Sequence, residues 1–549
     1  MTFLALFSTV TLSCLLWSAV FTGIAARVSS RWLRCVLAVL AIVVPLCALL
    51  PWLVTTFALA FLAELDVNWF GPILTVFTAS LVGGLCILRG GLTPPDTDTT
   101  PLRAARWPVI GLFLAFLLSK LAAGGILFAL DSKASGRIDD MKRESADLMA
   151  SVLIPEVSDL SNAATFYRAA FQIMNADKEI TNTLDTAETI DPTTSSVENA
   201  LARHNKTLSI IRRGAKKEVY RIDRDWSRPS FSMLLPELQS IRSMSKLVCL
   251  SVRNRASKGD VSGALADVWV LYRIRQHAAS EPCLISGLVG ASIDSFALHA
   301  FTEVLTHTTE KDLQLLEGAN IYTLIAVTPS FKRHILSEEA FGIKTYADFC
   351  TGLFGVADLG NDEGFMNLLS NLPQRYQIQF PLFYRVFLFA QDYELYRSTM
   401  SSYHNLLALS EPYDNVMRQT KAIEEKLTRT NAGILARLLT PALSGVFKAR
   451  VRNESLHQAA MVALAATIHR IKTGDVPSDI EDLIPDSLSM RPMDPHMNDT
   501  AMTIKVLDDA LVIYSVGPNG KDDGGPPERG SKEKGKNDDV GLRLMFKKN

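Results

Sequence analysis

The first 131 residues contain four long apolar stretches, and these constrain the fold more than any other feature of the chain. A helix that crosses a bilayer needs about 20 apolar residues, and the stretches that reach or approach this length are 3–25, 36–62, 70–88 and 108–130. The first has the rival interpretation of a cleaved signal peptide, but MTFLALFS lacks the basic residues that such a peptide carries. The sequence therefore predicts a membrane domain of four transmembrane helices over residues 1–131.

The loops between these stretches predict the orientation of the chain. Short cytoplasmic loops collect lysine and arginine. The loops 26–35 and 89–107 hold three arginines each, whereas the loop 63–69 holds Glu64 and Asp66. Both basic loops are expected in the cytoplasm, which places both termini and all of residues 132–549 on the far side. The predicted location is the inner membrane of a bacterial cell, with the lipid bilayer as one partner.

Lys120 lies in the middle of the fourth stretch, within LLSKLAAGG. A charge at that depth is costly, and it suggests a role in transport or sensing. The alternative is a lysine that reaches the interface with its long side chain, or one that pairs inside the bundle. No string of polar residues accompanies Lys120, as an ion relay would require, so the structural alternative is favoured.

The remaining residues have the composition of a soluble protein and are numerous enough for several cores. The net charge of −1 gives no basic excess, so nucleic acid is not expected as a partner. Cys249, Cys283 and Cys350 are widely spaced in this part, and the chain contains no CxxC pair. A zinc site is therefore disfavoured, and one disulfide among the three cysteines stays open.

Helical periodicity dominates residues 132–450. The clearest case is 234–278, where apolar residues recur every three or four positions on both sides of a Gly-Asp pair. Gly259 suits the left-handed end of one helix and Asp260 suits the N-cap of the next. This pattern predicts an antiparallel helical hairpin within a repeat-like array. CLISGLVGASIDSFALHAFTEVL predicts a third helix, and the polar stretch 175–206 is interpreted as a surface loop.

The last hundred residues change character. ESLHQAAMVALAATIHRIKTG predicts a helix that ends at Gly474, and TIKVL and ALVIYSV predict a β-hairpin around Asp508-Asp509. With TGDVPSDIEDLIP, MDPH, YSVGPNGKDDGG and NDDV, this order resembles the C-terminal region of type II secretion major pseudopilins over residues 455–545. The preceding part, with NAATFYRAAF and GDVSGALADVWVLYRIRQHA, resembles large uncharacterised bacterial membrane proteins, typified by planctomycete sequences, that share this ending.

The pseudopilin resemblance implies a calcium site in the terminal loop. In that family an acidic or amide side chain of the glycine-rich turn, a later acidic pair and backbone carbonyls bind the ion. The matching residues are Asn519, Asp538 and Asp539, with Asp522 and Asp523 as additional ligands. Calcium takes about six to eight oxygen ligands, which such a loop can supply. Two departures reduce the expected affinity: Asn replaces the usual Asp at 519, and the insert PPERGSKEKGK separates the two halves. The alternative is an acidic turn without metal.

Recognisable catalytic motifs are missing from the sequence, which has no HExxH, no GxSxG and no HxE paired with CxxC. Two His–Glu pairs are four residues apart on predicted helices, His277 with Glu281 and His299 with Glu303. Either pair could serve as an acid–base or metal pair, but a surface hydrogen bond or a helix-end cation is the commoner case. No catalytic residue is assigned.

The expected fold class is mainly α. It comprises a four-helix membrane domain (1–131), an extracytoplasmic repeat-like helical domain (132–450), and a small α+β domain with a β-hairpin (451–549). The favoured function is a membrane-anchored envelope scaffold or assembly protein, with envelope or secretion-related proteins as partners of its helical surface. The alternatives are an extracytoplasmic hydrolase with a site assembled from distant residues, and a sensor or transporter component that uses Lys120.

Overall fold

The computed structural model describes most of the chain after residue 130. The described ranges are 131–187, 189–226, 235–326, 330–353, 384–385, 388–408, 411–429, 433–440, 443–497, 499–527 and 537–546, with a few isolated positions before residue 131. Apart from those positions, the four predicted membrane spans lie outside the described residues. Lys120 also lies outside them.

The described residues are mainly helical with one small antiparallel sheet, which confirms the coarse fold class. Residues 131–152 are helical. The helices that follow are α1 (Ala163–Ala176), α2 (Lys178–Asp185), α3 (Ser195–Arg203), α4 (Asn205–Ala215), α5 (Pro236–Ser257), α6 (Val261–Ala278), α7 (Leu284–Thr306), α8 (Leu313–Leu316), α9 (Ala319–Ala326), α10 (Lys332–Cys350), α11 (Phe389–Ala408), α12 (Tyr413–Arg429), α13 (Ile434–Leu439) and α14 (Ser444–Thr473). The strands are β1 (Thr503–Val506), β2 (Ala510–Ser515) and β3 (Val540–Met545), and 3-10 turns occur at Glu310–Asp312 and Ile480–Leu483.

The chain divides into two compact units, and the division differs from the predicted domains. One unit comprises residues 1–143, 345–397 and 427–439; the other comprises 144–344, 398–426 and 440–549. The predicted boundary between 450 and 451 falls inside α14. The C-terminal hundred residues therefore belong to the same compact unit as α1–α9.

The helical hairpin predicted around Gly259-Asp260 is confirmed. Gly259 has φ +77°, the left-handed conformation that a glycine adopts without a side-chain penalty. The Asp260 carboxylate accepts a hydrogen bond of 3.0 Å from the N–H of Gly263 and so caps α6. Helices α5 and α6 pack against each other, and α7, the third predicted helix, packs on both.

The interpretation of 175–206 as a loop is wrong, because α2 and α3 lie within it. Asp177 caps α2 by accepting a 2.9 Å hydrogen bond from the N–H of Glu179. Ile180 and Leu184 are buried on one face of α2, and Val197 and Ala200 are buried on one face of α3. Threonine, serine and aspartate fill the exposed faces, so the average polarity of the stretch hides a short helical period.

One apolar core joins α1–α7 to α14 and the sheet. Strands β1 and β2 form the predicted hairpin, and β3 pairs antiparallel with the other edge of β2. Every residue of β2 is buried. Helix α14 packs on β2, β3 and α7, so the sheet is part of the helical core.

Within the described residues, α7 is the one helix long and apolar enough to cross a membrane, and 67% of its most apolar window is buried inside the protein. Its packing against α5, α6 and α14 accounts for that composition. Cys249, Cys283 and Cys350 are buried, and no disulfide joins them.

Candidate functional site

The terminal loop that follows β2 brings the five predicted ligand residues into one region. Gly517 ends the strand with φ +69°, and a β-carbon there would overlap the carbonyl of Asp538. Glycine is required at this position both by the backbone conformation and by the close approach of the second half of the loop. The two halves, 517–525 and 537–539, therefore meet face to face.

Hydrogen bonds to carboxylates hold the two halves together. The Asp539 carboxylate is buried and accepts from the N–H of Gly525 at 2.7 Å and from the N–H of Asp523 at 3.1 Å. The Asp523 carboxylate accepts from the N–H of Asp538 at 3.1 Å and from the Asn519 amide at 2.9 Å. These bonds run in both directions across the gap, so the loop is closed by its own backbone.

Burial and these hydrogen bonds shift the pKa values of the titratable groups in and beside the loop. The N–H of Asp538, with the Asn519 amide, lowers the pKa of Asp523. Burial raises the pKa of Asp539, and the two N–H donors offset only part of that effect. Asp522 accepts from the hydroxyl of Tyr514 at 2.9 Å, and burial followed by this contact raises the pKa of the phenol. In the described parts of the loop, 517–527 and 537–539, the Asp523 and Asp539 carboxylates accept from backbone N–H groups and from the Asn519 amide.

This donor set does not fit calcium in the conformation observed. Calcium needs oxygen ligands that converge, including carbonyls, whereas Asp523 and Asp539 face N–H groups. Across the described parts of the chain, no three Asp, Glu, His or Cys side chains are grouped to hold a metal ion. An ion would have to replace the N–H contacts. Calcium therefore stays a prediction.

Single substitutions of the acidic pair separate hydrogen bonding from calcium binding. Asp539→Ala removes the acceptor of two N–H groups and should destabilise the loop by about 1–3 kcal/mol with or without calcium. Asp538 is exposed, and the structure gives its side chain no hydrogen bond within the described residues, so Asp538→Ala should have no effect in chelator. Hydrogen exchange of peptides from 514–527 and 537–546 measures both.

If the loop binds calcium, a different result is expected for the Asp538→Ala and Asp539→Ala variants. Millimolar calcium would then slow exchange throughout the loop, since an ion that binds only the folded state stabilises it. Both variants would lose that protection. Equal exchange in calcium and in chelator for the unsubstituted protein would contradict the calcium prediction.

Asp494, His496 and Ser515 form a buried cluster that has the composition of a hydrolase triad. In a triad the imidazole accepts the serine proton and the carboxylate orients the imidazole. Here the Ser515 hydroxyl lies 2.6 Å from the Asp494 carboxylate and 2.7 Å from His496 Nδ1, and that same ring nitrogen stands 3.9 Å from the carboxylate. The serine and the carboxylate approach one nitrogen, whereas in a triad they hold opposite nitrogens of the ring, so the cluster joins the MDPH segment to the end of β2.

A second buried cluster surrounds Asp294 at the centre of the same unit. Its carboxylate accepts from Arg275 at 2.9 Å, from the Asn453 amide at 3.2 Å and from His457 Nε2 at 2.7 Å. His457 Nδ1 faces the carbonyl of Ile325 at 2.6 Å. Both ring nitrogens of His457 therefore have an oxygen partner within hydrogen-bond distance. The cluster ties α6, α7, α9 and α14 together.

In the first predicted His–Glu pair, the hydrogen bonds shown for His277 and for Glu281 go to different groups. His277 binds the Tyr167 hydroxyl and the Lys217 carbonyl, whereas Glu281 accepts from the N–H of Ile222. Glu303 pairs with Arg253 at 2.6 Å.

Comparison of the chain with models of protein families, with curated proteins and with solved structures finds no match.

Proposed function

We propose that this protein is a multi-pass protein of the bacterial inner membrane whose extracytoplasmic part, residues 132–549, is a scaffold for the assembly of envelope proteins related to secretion. The apolar stretches and arginine-rich loops of residues 1–131 support the location. The resemblance of 455–545 to pseudopilins supports the relation to secretion. Resemblance of fold transfers no function by itself, so the scaffold role needs a structural observation of its own.

That observation is a set of exposed methionines between α14 and β1. Met490, Met493 and Met497 are 72%, 40% and 37% exposed. Exposed apolar side chains in one region mark interaction sites, and methionine adapts its shape to different partner surfaces. We call these three residues the methionine surface.

The backbone that carries the methionine surface is fixed rather than loose. The N–H of Asp494 donates to the carbonyl of Thr500 at 2.8 Å, and the N–H of Met502 donates to the carbonyl of Pro492 at 3.0 Å. Leu488 and Met502 are buried in the core on either side of it. Anchoring of the main chain reduces the ordering cost when a partner binds, which suits a scaffold.

The full-length protein in its native membrane should migrate in a complex larger than the single chain on a blue native gel. A Met490→Asp/Met493→Asp/Met497→Asp variant should migrate mostly as the free chain, because a charge at an apolar contact cannot be desolvated without cost. Substitutions at exposed positions usually change stability by less than about 0.5 kcal/mol. The thermal midpoint of the variant should therefore stay close to that of the unsubstituted protein.

A matched control places the same charges on exposed apolar residues elsewhere in this unit, with a Leu160→Asp/Leu315→Asp/Val506→Asp variant. This variant should keep the large complex. Loss of the complex in both variants, or migration of the unsubstituted protein as a single chain, would contradict the proposed role of the methionine surface.

A further inference from the structure

A cavity of about 630 Å³ lies between the end of α6, the start of α10 and the segment 218–220. This volume falls within the range of about 300–1,000 Å³ that small-molecule sites occupy. Phe331, Val219 and Ala279 supply apolar wall, and His334 and Tyr220 supply polar atoms. Neither the terminal loop nor the methionine surface contributes to it.

Two polar atoms of the cavity wall are buried without a hydrogen-bond partner. They are the Tyr220 hydroxyl and His334 Nδ1, on side chains that are 1% and 2% exposed. The carbonyl of Ser330 favours the charged form of the His334 ring slightly, but it does not satisfy Nδ1. Buried polar atoms of this kind are rare and costly, so each calls for a partner that enters the cavity.

The protonation of His334 defines what Nδ1 can bind. Nε2 faces the carbonyl of Ala279 at 2.9 Å and must donate to it. Burial lowers the pKa of His334 to about 4, so the ring is neutral at pH 7 and Nδ1 is an acceptor. A β-carbon at position 287 would lie 3.0 Å from Cγ, Cε1 and Nδ1 of the ring, so Gly287 allows the ring to pack closely on α7. The missing partner is a hydrogen-bond donor.

Two guanidinium groups make the cavity attractive to an anion. Arg273 donates to the carbonyls of Ala215 and Lys217, and Arg333 donates through Nε to the carbonyl of Val152 at 2.8 Å. Among the described residues, the hydrogen bonds of the two guanidinium groups go to neutral oxygens, which for Arg273 include the side-chain oxygen of Gln276. Burial lowers the pKa of Arg333, and the negative charge of Glu281 offsets part of that effect.

The neighbouring side chains Tyr167 and His277 show a histidine whose two ring nitrogens both have hydrogen-bond partners. The Tyr167 hydroxyl lies 2.8 Å from His277 Nδ1, and His277 Nε2 lies 3.0 Å from the carbonyl of Lys217. The His277 ring stacks on Tyr220 with 6.0 Å between centroids. His277 therefore has a partner on both nitrogens, whereas His334, at the cavity, has a partner on one.

We infer that this cavity binds a small organic carboxylate that carries a hydroxyl or amide N–H donor beside an apolar group. The carboxylate pairs with Arg333 and accepts from the Tyr220 hydroxyl. The donor of the ligand satisfies His334 Nδ1, and the apolar group packs on Phe331 and Val219. This assignment is independent of the scaffold role.

The test uses 3-phenyllactate as the probe, with equilibrium dialysis against the full-length protein in lipid nanodiscs and empty nanodiscs as the blank. Two analogues each lack one group: 3-phenylpropionate has no hydroxyl, and 1-phenyl-2-propanol has a methyl in place of the carboxylate. Phenyllactate should bind saturably at millimolar concentration or below. Both analogues should bind more weakly.

Two variants keep the structural hydrogen bond of each side chain and remove only the group that meets the ligand. Arg333→Gln can still donate to the Val152 carbonyl but loses the positive charge. It should weaken the binding of phenyllactate about tenfold and leave the binding of 1-phenyl-2-propanol unchanged. His334→Gln can still donate to the Ala279 carbonyl but does not place an acceptor at the position of Nδ1, and should weaken phenyllactate binding about fivefold while leaving 3-phenylpropionate binding unchanged.

The unchanged analogue in each case shows that the variant is folded. Absence of saturable phenyllactate binding to the unsubstituted protein would overturn the inference, because water alone would then fill the cavity. Equal binding of phenyllactate by both variants and the unsubstituted protein would overturn it as well.

Discussion

Asp294→Ala should destabilise the compact unit that contains α1–α9 and the sheet by about 3–5 kcal/mol, because removal of one partner from a buried ion pair leaves the other charge uncompensated. Asp294 is 2% exposed and accepts from Arg275, Asn453 and His457. Arg275 and His457 are buried as well and cannot turn to water. Pulse proteolysis of the full-length protein in urea measures the loss.

Two comparison variants test the reason for that loss. Asp147→Ala removes an exposed aspartate from the helical residues 131–152 and should change stability by less than about 0.5 kcal/mol. An Asp294→Leu/Arg275→Met/His457→Leu variant removes Arg275 and His457 together with the carboxylate. It should recover much of the stability, since buried ion pairs can be replaced by apolar side chains of similar volume. A cost below about 1 kcal/mol for Asp294→Ala would show that the cluster is not a main tie of the core.

The parts of the fold that the sequence predicts are those with local signals. Gly259 and Asp260 are adjacent, so the end of α5 and the cap of α6 can be predicted together. The hairpin of β1 and β2 is likewise local, because its two strands alternate on either side of a short turn. In both cases the residues that determine the structure lie within about one turn of one another.

The buried hydrogen bonds at the centre of the core join residues that are distant in the chain, so no local sequence pattern predicts them. His457 and Asp294 are 163 residues apart in the chain, and no spacing rule relates them. The cavity likewise joins Tyr220, His277 and His334 from three separate segments. Strand β3 is not predicted for a different reason: its alternating residues Val540, Leu542 and Leu544 are a short run that follows a long charged insert and has no turn joining it to β2.

The terminal loop shows where a resemblance helps and where it stops. The pseudopilin pattern selects Asn519, Asp522, Asp523, Asp538 and Asp539, and the structure places all five in one loop. The pattern does not show which way the backbone groups point. N–H groups directed at a carboxylate and carbonyls directed at a cation require opposite peptide orientations, and residue types do not distinguish the two.

Asp494→Ala should have the second large effect, a loss of about 3 kcal/mol that opens the MDPH segment and the end of β2 together. The buried carboxylate of Asp494 accepts from the Ser515 hydroxyl at 2.6 Å, the N–H of Val516 at 3.0 Å and the N–H of His496 at 2.8 Å. Alanine leaves the N–H groups of His496 and Val516 unsatisfied in the interior, and each such donor costs about 1–3 kcal/mol before relaxation, whereas the Ser515 hydroxyl still has His496 Nδ1 at 2.7 Å. Asp494→Asn should cost less, because its amide keeps one acceptor oxygen.

Hydrogen exchange distinguishes this local role from a general loss of stability. Asp494→Ala should speed exchange at 493–502 and 514–517 more than in α5 or α6, because Ser515 also accepts from the N–H of Gly517 and so connects Asp494 to the terminal loop. Asp499→Ala, at an exposed position of the same connection, should leave both segments protected. If Asp494→Ala speeds exchange in α5 and α6 by the same factor, the cluster is a support of the whole unit, and the methionine surface between these residues is fixed by the core alone.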